Sequence, residues 1–268
     1  MNRSLFALLG VLGASLAACS TSNNQARAAP KPHGPGPENA VLVSAPSSQL
    51  REVFPHVRVD PEHKFVEFDG RISPMLVPDA RAPRFYLELT VCSPDTREHE
   101  TFVVTRARPS HIHAAMLALG LKPGHPGSFK SAGDHIEPVD PAGDRVEVRL
   151  VYTINGKEVE ADPLEWIVNH ADQPGFLAEE RAWAKTHGLP VPGWVFAGSR
   201  FVTYEGREVY DSDGTGVVIG LTTFGSELIG WSRTISPDSV IQTPEWIADL
   251  SKTPPADLPV RVRIRAAK

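Results

Sequence analysis

Two cysteines in 268 residues leave this chain no disulfide framework, no iron–sulfur set and no C-x-x-C redox pair. Basic runs are missing too. Lys+Arg number 27 against Asp+Glu 32, for a formal net charge of −5, and the cations are scattered among acids. That pattern describes a solvated surface and excludes nucleic acid as a partner. No apolar run is long enough to span a bilayer. Familiar catalytic and cofactor signatures are lacking as well. "FAGSRF" and "FGSEL" have no second glycine for a nucleophile elbow, and "DGTGVVIG" leads into a strand, so it cannot cradle a dinucleotide. His99-Glu100-Thr101-Phe102-Val103 begins like a zinc-protease helix, but Val103 stands where the second histidine is needed.

What is present begins with a positively charged start at Arg3 and a short apolar run from Leu5 to Leu16, the pattern of a secretory signal. The run ends in Leu16-Ala17-Ala18-Cys19-Ser20, which resembles a bacterial lipobox. Residues 1–18 are therefore expected to be a signal peptide, and the Cys19 thiol to carry a diacylglyceryl group, with further acylation giving a stable anchor. The alternative is an ordinary secreted protein cut near Ala18 or Ala29. Ser20 after the cysteine implies, by that same resemblance, the outer membrane with the chain facing the periplasm. Residues 19–48, rich in Ala, Pro, Gly and Asn, predict a lipidated N-terminus and a disordered tether. Residues 49–268 are enough for one sizeable core and show no repeat or second linker, so a single domain is expected. With Cys19 lipidated, Cys92 is a lone thiol, either buried and inert or in use.

Periodicity predicts an α+β fold, predominantly antiparallel β. "HVRVD" and "FVEFDGRI" suggest a hairpin, and "RFYLELTVC" alternates Phe85, Leu87, Leu89 and Val91 on one face with Glu88 and Cys92 on the other. "ETFVVTR", "DRVEVRLVYTI", "GREVYDS", "GVVIGLTTF" and "VRVRIRA" continue the strands, with "ING" and "YEGRE" as tight turns. One clear amphipathic helix is expected over about 110–119, with Ile112, Ala115, Met116 and Leu119 as its stripe and Gly120 as its stop. A helical insertion over about 176–187, ending at Gly188, lies in the connection 169–192 and reads as a flap over one face. "PLEWIV" allows a further short helix. Trp194, Trp231 and Trp246 either line a groove or belong to the core.

The chemistry gathers between Glu88 and His113. Pro94-Asp95-Thr96 reads as a turn that returns His99 and Glu100 beside Cys92 if the flanking strands form a hairpin. His111 and His113 fall on a helix, about 100° to either side of Ile112, so they cannot chelate one ion together. One of them can still face inward. Cys92, His99 and His111 or His113 would then offer ligands suited to zinc or copper. Without metal, the same trio is a thiolate activated by imidazole. The plain alternative is that these are turn and helix-start residues with no site.

"FPHVRVDPEHKFVEFDG", "RFYLELTVCSPDTREHETFVVTRARPSHIHAAMLALGLKPG", "GWVFAGSRF" and "GVVIGLTTFG" resemble the YdjY-type domain of bacterial exported proteins over about Phe54 to Arg265. The resemblance implies that Cys92, His99, Glu100, Ser110, His111 and His113 form a family motif. It implies no particular activity. The expectation is thus a membrane-anchored envelope lipoprotein acting as a binding or accessory module with a possible metal ligand. An enzyme using Cys92 and His99, or a structural envelope protein without a site, are the alternatives.

Overall fold

The computed structural model describes residues 41–42, 49–77, 84–169, 174–238 and 246–267. The signal segment, Cys19 and the tether lie outside the described residues, except that Val41–Leu42 form a strand, β1. The strands that build the main sheet are then β2 (Arg51–Phe54), β3 (Val57–Asp60), β4 (Phe65–Ile72), β5 (Leu89–Cys92) and β6 (Thr101–Val104). They continue as β7 (Val146–Ile154), β8 (Lys157–Ala161), β9 (Trp194–Val195), β10 (Val217–Gly220), β11 (Ile229–Trp231) and β12 (Pro259–Ala266). Their order is β1-β8-β7-β12-β4-β6-β5-β10-β11-β9, with β3 on β4 and β2 on β3. β1 covers the outer edge of β8, so the chain joins the sheet before the expected end of its tether. An uncovered edge strand would leave its backbone groups unpaired.

The longest strands behave as their alternation predicts. Val66 and Phe68 of β4, Val148 and Leu150 of β7, and Val262 and Ile264 of β12 bury one face in the core. On the opposite face Arg263 donates to Glu67 at 2.8 Å and to Glu160 at 2.7 Å, while Arg265 donates to Glu147 at 2.9 Å. Glu67 is fully buried, with Arg58, Arg261 and Arg263 paired to it. The "ING" and "YEG" turns place Asn155, Gly156, Glu205 and Gly206 at positive φ, the conformation of a two-residue hairpin loop.

Helix α1 (Pro109–Ala118) buries Ile112, Ala115 and Met116, with Leu119 packed partly beneath them, as the stripe predicts. Its first residue is Pro109, whose missing N–H costs nothing there. "PLEW" forms a single 3-10 turn. Helix α2 (Phe176–His187) ends at Gly188, whose φ of 64° makes the left-handed cap.

Helix α2 corrects the expectation of a flap. Phe176 is fully buried in the main core, its ring 4.9 Å from that of Trp231 and 4.6 Å from that of Trp246. Buried Glu180 accepts from the Trp231 indole at 2.8 Å and pairs with Arg233, and Glu179 accepts from the Trp246 indole at 2.9 Å. The helix is fixed by its carboxylates, and Trp194, Trp231 and Trp246 are core residues.

A second correction concerns β5 and β6. They pair in parallel, with Leu89 opposite Thr101 and Cys92 opposite Val104. Residues 93–100 therefore form a return crossover, not a hairpin turn. Parallel neighbours usually need a longer connection, but these strands are only four residues each, so a short loop spans them.

Candidate functional site

The parallel pairing decides which motif residues meet. The crossover brings residues 98–100 back to the start of β5, where the Glu88 amide donates to the Glu100 carbonyl at 3.0 Å. Cys92 lies at the other end of the strand. His99 consequently stands beside Glu100, and the hairpin expected to return it to Cys92 does not form.

At this corner the Arg97 Nη1 donates to Glu100 Oε1 at 2.6 Å, and the guanidinium lies 4.3 Å from the centre of the Phe224 ring. His99 Nε2 is 3.7 Å from the other Glu100 oxygen, with its side chain 63% exposed at the mouth. Glu88 is half-buried, and its carboxyl lies within hydrogen-bonding reach of Glu100. Burial first, and the Glu100 charge second, push the Glu88 carboxyl up to about 7, with Arg97 pulling the other way. A carboxyl raised that far is only partly ionised at neutral pH. The corner thus combines a carboxyl raised toward neutral pH, a second glutamate, an arginine and an exposed imidazole.

Cys92 is buried beneath the crossover, 0% exposed, and burial pushes its thiol up to about 11. A thiol so placed is neither a ready nucleophile nor a ready metal ligand. It packs with Leu89, Val104 and Val217 in a small satellite core, against which Phe224 closes.

The helix-start residues go elsewhere. The ring of His111 stacks on Phe54 at 4.7 Å. His113 Nδ1 is 2.8 Å from the Tyr210 hydroxyl, which itself donates to the Gly198 carbonyl at 2.9 Å. Burial lowers the His113 pKa and raises that of Tyr210. Ser110 donates through both its amide and its hydroxyl to Asp213, at 2.8 and 2.7 Å, and Arg108 pairs with the same carboxylate at 2.8 Å. Asp213 thereby satisfies the Ser110 amide in the first turn of α1. Cys92, His99, His111 and His113 are accordingly not assembled as one ligand set. Among the described residues, no group of three or more His, Cys, Asp or Glu side chains is placed to hold a metal ion.

Three participants were missed in the sequence. Arg97 and Phe224 complete the acid corner, and only the arginine carried a signal, as part of "REHE". Glu227 is the third. It is 1% exposed, its Oε1 accepts the Phe224 amide at 2.6 Å, and its Oε2 has no partner among the described residues. Burial pushes it up to about 7 despite the amides of residues 224–227 around it.

A family model described as the YdjY domain matches residues 57–265. No curated protein and no solved structure matches the chain. The matched span takes in the acid corner, the crossover, α1 and all but the first strands of the main sheet.

Proposed function

The chain belongs to the YdjY domain family, and from that premise we propose that it is a lipid-anchored binding module of the cell envelope. In this reading Cys19 carries the diacylglyceryl anchor, the outer membrane holds it, and the folded domain faces the periplasm. The apolar run from Leu5 to Leu16 followed by "LAACS" supports the anchor. Among the described residues no helix is long and apolar enough to cross a membrane. Replacing Cys19 by alanine should release the protein from the membrane fraction; continued anchoring would refute the lipidation.

The ligand contact is the Glu88–Glu100 pair, and the observation that carries the reading is the Glu88 carboxyl at about 7 beside a second carboxylate at an open corner. The ligand presents a positively charged group. As that group enters, Glu88 gives up its proton and becomes a second carboxylate. Before binding, Arg97 balances Glu100. Afterwards two carboxylates face Arg97 and the ligand group, so the site stays neutral around a singly charged group such as an ammonium. Losing a proton held near pH 7 costs little at neutral pH, which makes the exchange easy. The thiol-enzyme alternative finds no support in a buried Cys92 with a raised pKa.

Calorimetry on the mature chain with putrescine, and separately with zinc, in two buffers of different ionisation heat tests the exchange. The reading predicts binding with proton release at pH 7, and loss of the release in Glu88→Gln. Absence of binding by both cations, or zinc binding that survives Glu88→Gln, would overturn it.

A further inference from the structure

We propose that a cavity at the fork between β3 and β6 is a separate binding site for a small zwitterion of amino-acid type. β4 changes partners along one edge: it pairs with β3 over Phe65 to Phe68 and with β6 at Arg71 and Ile72. Between these stretches the two neighbours diverge. The Asp69 amide donates to the His56 carbonyl at 3.0 Å, and the Asp69 carbonyl accepts the Thr105 hydroxyl at 2.5 Å. The backbone at the fork is therefore satisfied without the strands closing on each other, and space is left between them. Gly70 lies at the branch, and a Cβ there would meet Val103 Cγ1 at 2.6 Å, so no side chain can fill the gap from this position.

The opening is about 330 Å³, within the range of small-molecule sites. Most of its charges are already paired: Asp69 with Arg58, beside the His56 ring at 3.4 Å, and Arg71 with Asp257 at 3.1 Å. Two are not. Arg106 and Glu98 both line the cavity, and neither makes an ion pair among the described residues; the Glu98 carboxylate accepts the Asp95 amide at 2.5 Å, and its carbonyl accepts the Ser73 hydroxyl at 2.8 Å. Pro74, Pro94 and Val104 supply an apolar wall between them. One unpaired cation and one unpaired anion in a single small cavity fit a ligand that carries both charges. Its carboxylate meets the Arg106 guanidinium in the forked geometry arginine favours, its ammonium meets Glu98, and its side chain lies on the prolines. An anion alone would leave Glu98 facing it, and a cation alone would face Arg106.

This site is distinct from the acid corner, although the crossover 93–100 serves both: Glu98 lines the cavity, while Arg97 and Glu100 belong to the Glu88 pair. The two also differ in proton count, since a zwitterion enters the cavity with no proton exchanged.

Titration of the mature chain with L-alanine and L-leucine, alongside N-acetyl-leucine and leucinamide, tests the assignment. The expected result is saturable binding of both amino acids, leucine the tighter, with each neutralised analogue weakened by roughly tenfold or more. In Arg106→Gln, leucine and leucinamide should bind alike; in Glu98→Gln, leucine and N-acetyl-leucine should. Arg106 is exposed, so its loss leaves the fold intact, and circular dichroism checks this. Glu88→Gln should leave leucine binding unchanged, which separates this site from the proton-exchanging one. Absence of binding by both amino acids, equal binding of the analogues, or unchanged binding in Arg106→Gln would each overturn the assignment.

Discussion

Glu88 and Glu100 are joined through the backbone, amide to carbonyl at 3.0 Å, and that bond sets their carboxyls side by side. A hairpin would have delivered His99 and Glu100 to Cys92. The parallel return instead sets Glu100 against Glu88, with His99 beside Glu100, and the motif becomes a pair of neighbouring carboxyls, one of them raised to about 7.

Stability should rise on mild acidification. Glu88 and Glu227 both have carboxyls raised to about 7, above the ordinary value of 4.5. Between those two values Glu88 and Glu227 keep protons in the folded chain that they lose in the unfolded one, so these two carboxyls make stability fall as pH climbs from about 4.5 to 7, against the opposite trend of the lowered His113. Thermal unfolding across that window should give a higher Tm at pH 5 than at pH 7.5. Glu227→Gln should flatten the slope and add on the order of 1–2 kcal/mol at pH 7.5. A Tm that rises with pH throughout the window would contradict this.

Cys92 should resist alkylation in the folded state. Its burial and a thiol near 11 leave little thiolate at neutral pH. Iodoacetamide should label it only in denaturant, and rapid labelling of the native chain would put the thiol back among the reactive candidates.

Helix α2 should depend on Glu180. Glu180→Ala leaves the Trp231 indole and Arg233 without their acceptor in a buried setting, at a cost of about 3–5 kcal/mol. Chemical denaturation reads this directly. A loss within about 0.5 kcal/mol would mean the helix is held as a surface flap after all.

How much of this was legible in the sequence follows from what alternation and spacing encode. They encode faces: the "VRVRIRA" and "VEVRLVYTI" strands, the Ile112 stripe and the Gly188 stop all stand as read. They do not encode partners. Nothing local to "LTVCSPDTREHETFVV" distinguishes a hairpin from a parallel return. That choice is made by β4 on one side of β6 and β10 on one side of β5. Long-range contacts hid the rest. Tyr210 meets His113 and Asp213 meets Ser110 from about a hundred residues away. Glu180 looks like any helix-surface acid until Arg233 and Trp231 arrive beside it. The raised Glu88 and Glu227 carboxyls depend on burial, which residue type alone does not give.

Gly70→Ala should test the fork itself. The added methyl would sit 2.6 Å from Val103 Cγ1 and 3.3 Å from the Val104 carbonyl oxygen, forcing β4 and β6 apart at about 1–3 kcal/mol. The Tm should drop accordingly, while an unchanged Tm would show that the strands yield there freely.

The central claim is most directly tested by following the Glu88 side-chain carboxyl carbon by NMR through a pH titration, in the native protein and in Glu100→Gln. The carboxyl pair predicts a midpoint near 7 for Glu88 that falls when Glu100 loses its charge. A Glu88 midpoint at the ordinary glutamate value, unmoved by Glu100→Gln, would contradict the account.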